Sequence, residues 1–398
     1  MPTISQKAIQ MPASPIRKLV PYAEEAKKRG VHVYHLNIGQ PDIASPEGAL
    51  KAVRENNLKL LEYSHSAGIL SYRKKLAKYY QDKHIDVDEN EIIITNAGTE
   101  AVLFSFLASM NPGDEVIIPE PYYANYNSFA VYAGVKIVPI VSKIEDGFAL
   151  PPISEFEKVI TPKTKAIMVC NPGNPTGYLY TRSEIERLGE LVKQYDLFLL
   201  SDEVYREFCY DGAEHVSALH IKGLDEHVIL LDSVSKRYSA CGARIGTFIT
   251  KNKELYAAAM RFAQARLSPP TYGQIFSEAA CDTTPQSYFD AVVAEYTKRR
   301  NIVVEAINKM DGCFCPNPKG AFYAVARLPI DDSDKFCQWL LEKFEHNKQT
   351  VMLAPATGFY ATKGAGKNEV RISYVLNEND LHNAMECLEL ALKQYNKK

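Results

Sequence analysis

Between residues 91 and 231 the chain alternates short apolar, β-branched runs with stretches of helical period, and few folds tolerate that pattern. Strands are expected at 91–95, 116–119, 135–141, 165–170, 197–200 and 228–231. Helices are expected at 97–110, at 122–132 and after Thr181-Arg-Ser-Glu184, a capping box. Strand–helix–strand repeats build a mostly parallel sheet covered by helices on both faces, and ligands of such a sheet bind beyond the carboxyl ends of its strands.

The polar clusters fall at those ends. Asn96-Ala-Gly-Thr99 turns a strand into a helix, so the amides of Gly98 and Thr99 can receive an anion, although a plain helix cap is the commoner case. Asn171-Pro-Gly-Asn-Pro-Thr-Gly177 holds more turn formers than a connection needs, and its Asn174 can aim an amide at the strand ends. Asp202 follows a run of Leu and Phe after a single serine, where a carboxylate is costly without a cationic or proton-donating partner. The last strand delivers Ser-Val-Ser-Lys-Arg-Tyr-Ser-Ala-Cys-Gly-Ala-Arg-Ile-Gly over 233–246. Lys236 there is either an ordinary surface lysine or an amine whose partial burial makes the neutral, nucleophilic form accessible. Ser233, Ser235 and Arg244 in the same stretch are donors suited to a phosphate dianion.

The flanks read differently. Residues 1–15 have three Xaa-Pro pairs and little period, as an arm laid over another surface would. A helix is expected at 17–28, and His35-Leu-Asn-Ile-Gly-Gln-Pro-Asp42 reads as an apolar strand ending in a turn, where Gly39 serves the turn or marks close backbone approach. Helices at 46–56 and 71–83 enclose a small-residue loop with Tyr63, by itself more a packing aromatic than a ligand contact. After a strand at 247–250 and a helix at 253–264, the break Arg266-Leu-Ser-Pro-Pro270 leads to further helices, and a long amphipathic helix at 287–310 looks like a bridge between two bodies. Strand and helix signals beyond it are α+β in style. The expected division is a large domain at 46–290 and a small α+β domain formed by 1–45 with 300–398.

A formal net charge of −2 provides no field for nucleic acid or an anionic membrane, and no stretch approaches a membrane span. Eight cysteines show neither Cys-x-x-Cys nor any zinc spacing with histidine, so no metal is expected and a reducing, cytoplasmic setting is.

Taken in order, these residues resemble the class I and II aminotransferases, pyridoxal-phosphate enzymes of the aspartate aminotransferase fold. The resemblance is carried by Gly39-Gln-Pro-Asp42, Tyr63 with Gly68 and Arg73, Ala97-Gly-Thr99, Asn171 to Gly177, Asp202-Glu-Val-Tyr205, the Lys236 stretch with Arg244, Gly320-Ala-Phe-Tyr323 and Arg371-Ile-Ser. It implies that Lys236 holds the cofactor covalently and then moves the substrate proton, that Asp202 pairs with the pyridine nitrogen, and that Tyr205 and Asn174 bond the ring's phenolic oxygen. Tyr123, preferred to Tyr122, would stack on the ring. Gly98, Thr99, Ser233, Ser235 and Arg244 would hold the phosphate, with Tyr63 reaching it from the neighbouring subunit of a homodimer. Arg371 would clamp the substrate α-carboxylate, helped by Asn174 and the backbone near Gly39. Arg266 stands near the place from which some relatives send a dicarboxylate-reading arginine across the dimer.

Ala97 departs from a serine, and Thr99 from a lysine, that certain relatives use. The implied reaction is amino transfer between an L-amino acid, aspartate first and an aromatic one second, and a 2-oxo acid such as 2-oxoglutarate. A lyase or synthase on the same fold would carry the same cofactor residues. A non-catalytic regulatory module lacks its basic helix-turn-helix, and a dehydrogenase lacks Gly-x-Gly-x-x-Gly after the first strand of the alternation.

Overall fold

The computed structural model describes residues 2–397. Among the described residues twelve strands run in chain order: β1 (His32–His35), β2 (Ile92–Asn96), β3 (Glu115–Glu120), β4 (Lys136–Val141), β5 (Thr164–Cys170), β6 (Phe198–Asp202), β7 (Val228–Ser233), β8 (Ile245–Ile249), β9 (Tyr323–Arg327), β10 (Gln349–Met352), β11 (Ala354–Pro355) and β12 (Glu369–Ser373). A seven-stranded sheet is ordered β2-β8-β7-β6-β5-β3-β4. It is α/β and mostly parallel, with β8 alone reversed against both of its neighbours. The reversal has a simple cause. Residues 234–244 are too few for a crossover helix that would return the chain parallel, so it comes back alongside β7, pairing Ser233 with Gly246.

Both faces of this sheet are dry, and the side chains sort by the two-residue period. Ile92, Ile94, Ile167, Val169, Val228 and Leu230 pack on one face with the helices Leu70–Asp82, Arg182–Gln194 and Thr271–Thr283. Ile93, Ala166, Met168, Ile229 and Leu231 pack on the other with Ala97–Ser109, Tyr126–Ala133 and Lys253–Arg266.

A separate apolar cluster joins the helix Val20–Lys28, β1, β9, β10, β12 and the helices Ser333–Glu342 and Glu378–Tyr395. Tyr205, Phe208 and Tyr210, which follow β6, belong to it, so the end of β6 lies at the seam between the two cores. The helix Gln286–Lys309 crosses that seam: Phe289 packs beside the sheet, while Tyr296, Val303 and Ile307 lie in the second cluster.

Two expectations need correction. The first extended segment is His32–His35, starting three residues before the expected start and ending where the expected strand begins. Leu36 N–H donates to the Met352 carbonyl at 3.0 Å, its carbonyl accepts from Ser373 N–H at 2.8 Å, and the Asn37 carbonyl accepts from Arg371. The helix expected from Tyr122 starts at Tyr126, since Tyr122 N–H donates instead to the Phe359 carbonyl at 2.9 Å.

Candidate active site

β7 ends at Ser233, whose side chain caps a single helical turn, Val234–Arg237, by accepting from Ser235 N–H at 3.1 Å. The same hydroxyl lies 2.8 Å from both the Ser235 hydroxyl and the Ile245 carbonyl, tying the turn to β8. Lys236 is thus fixed on a rigid turn. Its Nζ donates to the Gly39 carbonyl at 2.7 Å and lies 3.8 Å from Cys241 Sγ, and burial lowers its pKa against the smaller opposing effect of that thiol. Gly39 is where its side chain would be intolerable: a Cβ there would stand 1.8 Å from the Tyr323 hydroxyl. The close approach brings the Gly39 carbonyl to the lysine.

A buried ionic wall stands behind this turn. Asp232 accepts from Tyr80 at 2.7 Å, from Arg206 at 3.2 Å and from Arg237. Burial alone would raise its pKa, but the two guanidiniums outweigh it and hold the carboxyl below the usual range. Arg206 also binds Glu203 at 2.7 Å. Breaking one member would strand a buried charge, so the network holds the Lys236 turn in one position.

Asp202 closes β6 facing the same cavity. The proton-donating partner that its position demands is Tyr126, whose hydroxyl donates at 2.6 Å. Burial still pushes the carboxyl up to about 6. Beside it runs a chain of polar contacts. Asn174 Nδ2 donates to the Tyr205 hydroxyl at 3.3 Å, Tyr205 and Tyr323 hydroxyls lie 2.9 Å apart, and Asn174 Oδ1 accepts from Arg371 at 3.2 Å. Arg371 is 1 % exposed, and its Nε has no hydrogen-bond partner among the described residues. Rings surround its guanidinium, Tyr323 at 4.7 Å and Phe359 at 4.9 Å, and burial lowers its pKa with only tyrosines opposing.

The third wall is the start of the helix Ala97–Ser109, which has no side-chain cap. Gly246 of β8 passes directly beneath it, where a Cβ would lie 2.3 Å from the Ala97 carbonyl carbon and 2.5 Å from Gly98 N. The helix start also lies against β7, where a Cβ on Gly98 would stand 3.6 Å from Ser233 Cβ. Arg244, held at φ +55° with a guanidinium N–H donating to the Cys241 carbonyl at 3.0 Å, is exposed at the rim.

These residues line one cavity of about 520 Å³: Gly39, Gly98, Thr99, Tyr123, Asn174, Asp202, Tyr205, Ser233, Ser235, Lys236, Arg244 and Arg371. Tyr122 turns away, its hydroxyl donating to Asn127 at 2.8 Å. Two of the expected residues lie elsewhere. Tyr63, 76 % exposed, and Arg266 flank a separate surface recess with Pro269 and Pro270. Arg266 is held 3.3 Å from Glu100 and donates to the carbonyls of Ile94 and Ser66 at 3.1 and 3.3 Å.

Sequence reasoning missed Tyr126, Arg17, Asp232 and Cys241. It quoted Tyr323 within a motif without a task. For Asp232 a usable signal existed, an acidic residue inside an apolar strand; for Arg17 and Tyr126 there was none.

Among the described residues no helix is long and apolar enough to cross a membrane, and no group of acidic, cysteine and histidine side chains is placed to hold a metal ion.

The family profile for "Aminotransferase class I and II" matches residues 31–388. The aspartate aminotransferase of Bacillus subtilis is 30% identical, with 94% of each chain covered, and the aromatic-amino-acid aminotransferase 2 of Thermococcus litoralis is 31% identical, with 98% of each covered. Among solved structures, the Thermus thermophilus aspartate aminotransferase with maleate superimposes with a TM-score of 0.89 at 29% identity, covering 98% of this chain and 100% of that one. The Pyrococcus furiosus alanine aminotransferase gives 0.90 at 30% identity with the same coverage. This chain belongs to the class I and II aminotransferases.

Proposed function

We propose that the cavity binds pyridoxal 5′-phosphate and exchanges an amino group between an L-amino acid and a 2-oxo acid in two half-reactions, with aspartate as the first donor to test, an aromatic amino acid as the second, and 2-oxoglutarate as acceptor. Relatives named for aspartate and for aromatic amino acids match this chain about equally and support both as donors to test. The observation that carries the reading is Arg371, a buried guanidinium with an orphaned Nε and no carboxylate partner among the described residues, in the same cavity as Lys236 and Asp202. A buried cation of that kind awaits an anion, and its planar fork matches an α-carboxylate.

The residues present fit the cofactor. Uncapped amides at Gly98 and Thr99, the Ser233 and Ser235 hydroxyls and Arg244 suit a phosphate dianion. Asp202, whose burial favours sharing a proton, suits a protonated ring nitrogen. Asn174 and Tyr205 offer donors to a phenolate, and Tyr123 a ring face. When bound, the cofactor supplies an electron sink for the substrate's α-carbon.

The protein's own work is then positional. Lys236, whose pKa burial lowers, would hold the cofactor through its amine and would move the proton at the substrate α-carbon. Arg371 and Asn174 fix the α-carboxylate so that this proton faces the lysine.

The test is an assay of amino transfer from aspartate and phenylalanine to 2-oxoglutarate, run beside pyruvate and ammonia release. Transfer that disappears in Lys236→Ala, together with the protein's cofactor absorbance band, supports the reading. Release of pyruvate and ammonia without transfer would replace it with a lyase.

A further inference from the structure

Four cationic side chains line the cavity, Arg17, Lys236, Arg244 and Arg371, against two acidic ones, Asp202 and Asp232. Asp232 is neutralised from behind by Arg206 and Arg237, and Asp202 is bonded by Tyr126. A phosphate at Arg244 and an α-carboxylate at Arg371 leave one guanidinium over. Arg17 has no ion pair among the described residues, although the next residue, Lys18, takes Asp334.

Arg17 is exposed, yet the arm that carries it is fixed on every side. Pro15 sits on Gly358 so closely that a Cβ there would lie 2.2 Å from it. Ile16 packs on the cluster of Ala124, Ala354 and Phe359, the same Phe359 whose ring lies under the Arg371 guanidinium. Lys18 is held by Asp334, and Leu19 is buried. The segment between Pro15 and Leu19 therefore presents Arg17 to the cavity mouth with little freedom, which reduces the entropy lost when its fork closes on a ligand. Arg17, Tyr123 and Arg371 line the same cavity. By contrast Arg266 already holds Glu100 and two carbonyls outside the cavity.

We infer that Arg17 reads a second, distal carboxylate on the substrate, so that dicarboxylic amino and 2-oxo acids are preferred over neutral ones through a residue of the same subunit. The inference rests on the amino-transfer reading and specifies its substrate class. Arg17 is a specificity residue: it takes no part in moving the proton.

The experiment compares the wild-type holoenzyme with Arg17→Gln and Arg17→Lys in two ways. Calorimetry measures binding of succinate and of butyrate, which differ in the distal carboxylate. Steady-state kinetics compares aspartate with alanine as donors. Removing a charge-assisted pair predicts a loss of about ten- to a hundredfold in succinate affinity and in kcat/KM for aspartate, mostly through KM, with butyrate and alanine unchanged and Arg17→Lys recovering part of the loss. Equal losses for both classes, an intact dicarboxylate preference in Arg17→Gln, or a wild type with no such preference would each overturn the assignment. If the wild type transfers no amino group from any donor, the amino-transfer reading fails by itself, and the succinate–butyrate comparison still decides Arg17.

Discussion

Asp202 shows how a single buried residue can be costly to the fold and still suit the ring nitrogen proposed for its cavity. Burial raises its pKa from 3.8 to about 6. Between those values the folded protein keeps a proton that the unfolded chain has released, so stability falls as pH rises through this window and the cost persists above it. A shift of that size corresponds to roughly 2–3 kcal/mol as an upper bound. In cofactor-free protein Asp202→Asn is therefore expected to raise the thermal midpoint by roughly 2–5 °C at pH 8 and by nothing at pH 4, while kcat of the reconstituted enzyme falls at least about a hundredfold. Calorimetric scans at the two pH values check the sign, and a midpoint gain independent of pH would remove the titration argument. Arg371→Lys tests the neighbouring claim. The charge remains but the fork is lost, so KM should rise about ten- to a hundredfold for every amino acid alike, with cofactor affinity unchanged in a spectroscopic titration.

At the scale of elements, β8 and the helix Ala97–Ser109 make a joint that only glycine permits. In Gly246→Ala the new methyl would meet backbone atoms of Ala97 and Gly98 at 2.3–2.6 Å, so the strand and the helix start must separate. Overpacking of this kind costs about 1–3 kcal/mol and moves the amides assigned to the phosphate. The expected outcome is a cofactor dissociation constant raised at least about tenfold in a fluorescence titration, with KM for the amino acid at saturating cofactor nearly unchanged. Much of this architecture was legible beforehand. β5, β6 and β7 were placed within two residues, because a strand buried on both faces is an unbroken apolar run between turn formers. The reversal of β8 was not legible, since it follows from the length of the Lys236 turn and no local propensity records it. Nor was the end of β1, where Leu36 and Ile38 continue an apolar run while the backbone has already been claimed by Arg371, Met352 and Ser373. Side chains at strand ends revealed the cavity. Tyr126, 76 residues from Asp202, and Arg17, on an arm without period, are brought to it by tertiary packing alone.

At the scale of the whole molecule, the surface beside Tyr63 remains to be accounted for. Leu60, Leu61 and Tyr63 are 71 %, 59 % and 76 % exposed, and Leu267 and Tyr272 are 49 % and 42 % exposed. Leu61 and Tyr63 share a recess with Arg266, Pro269 and Pro270. So much apolar surface is costly to leave in water, and a second copy of the chain would cover it. If Tyr63 then reaches the partner's phosphate, each site needs residues from two chains. Mixing two damaged proteins separates this arrangement from a self-contained site. Lys236→Ala and Tyr63→Ala subunits, dissociated and reassociated in equal amounts, form about half mixed dimers. Each mixed dimer carries one site with both lesions and one with neither, so activity should recover to about a quarter of wild type when Tyr63 acts in trans. With Tyr63 acting in cis, every site keeps one lesion and mixing adds nothing to the sum of the parents. Sedimentation velocity on the same mixtures establishes that dimers have formed, so an absence of recovery in dimeric material would count against shared sites.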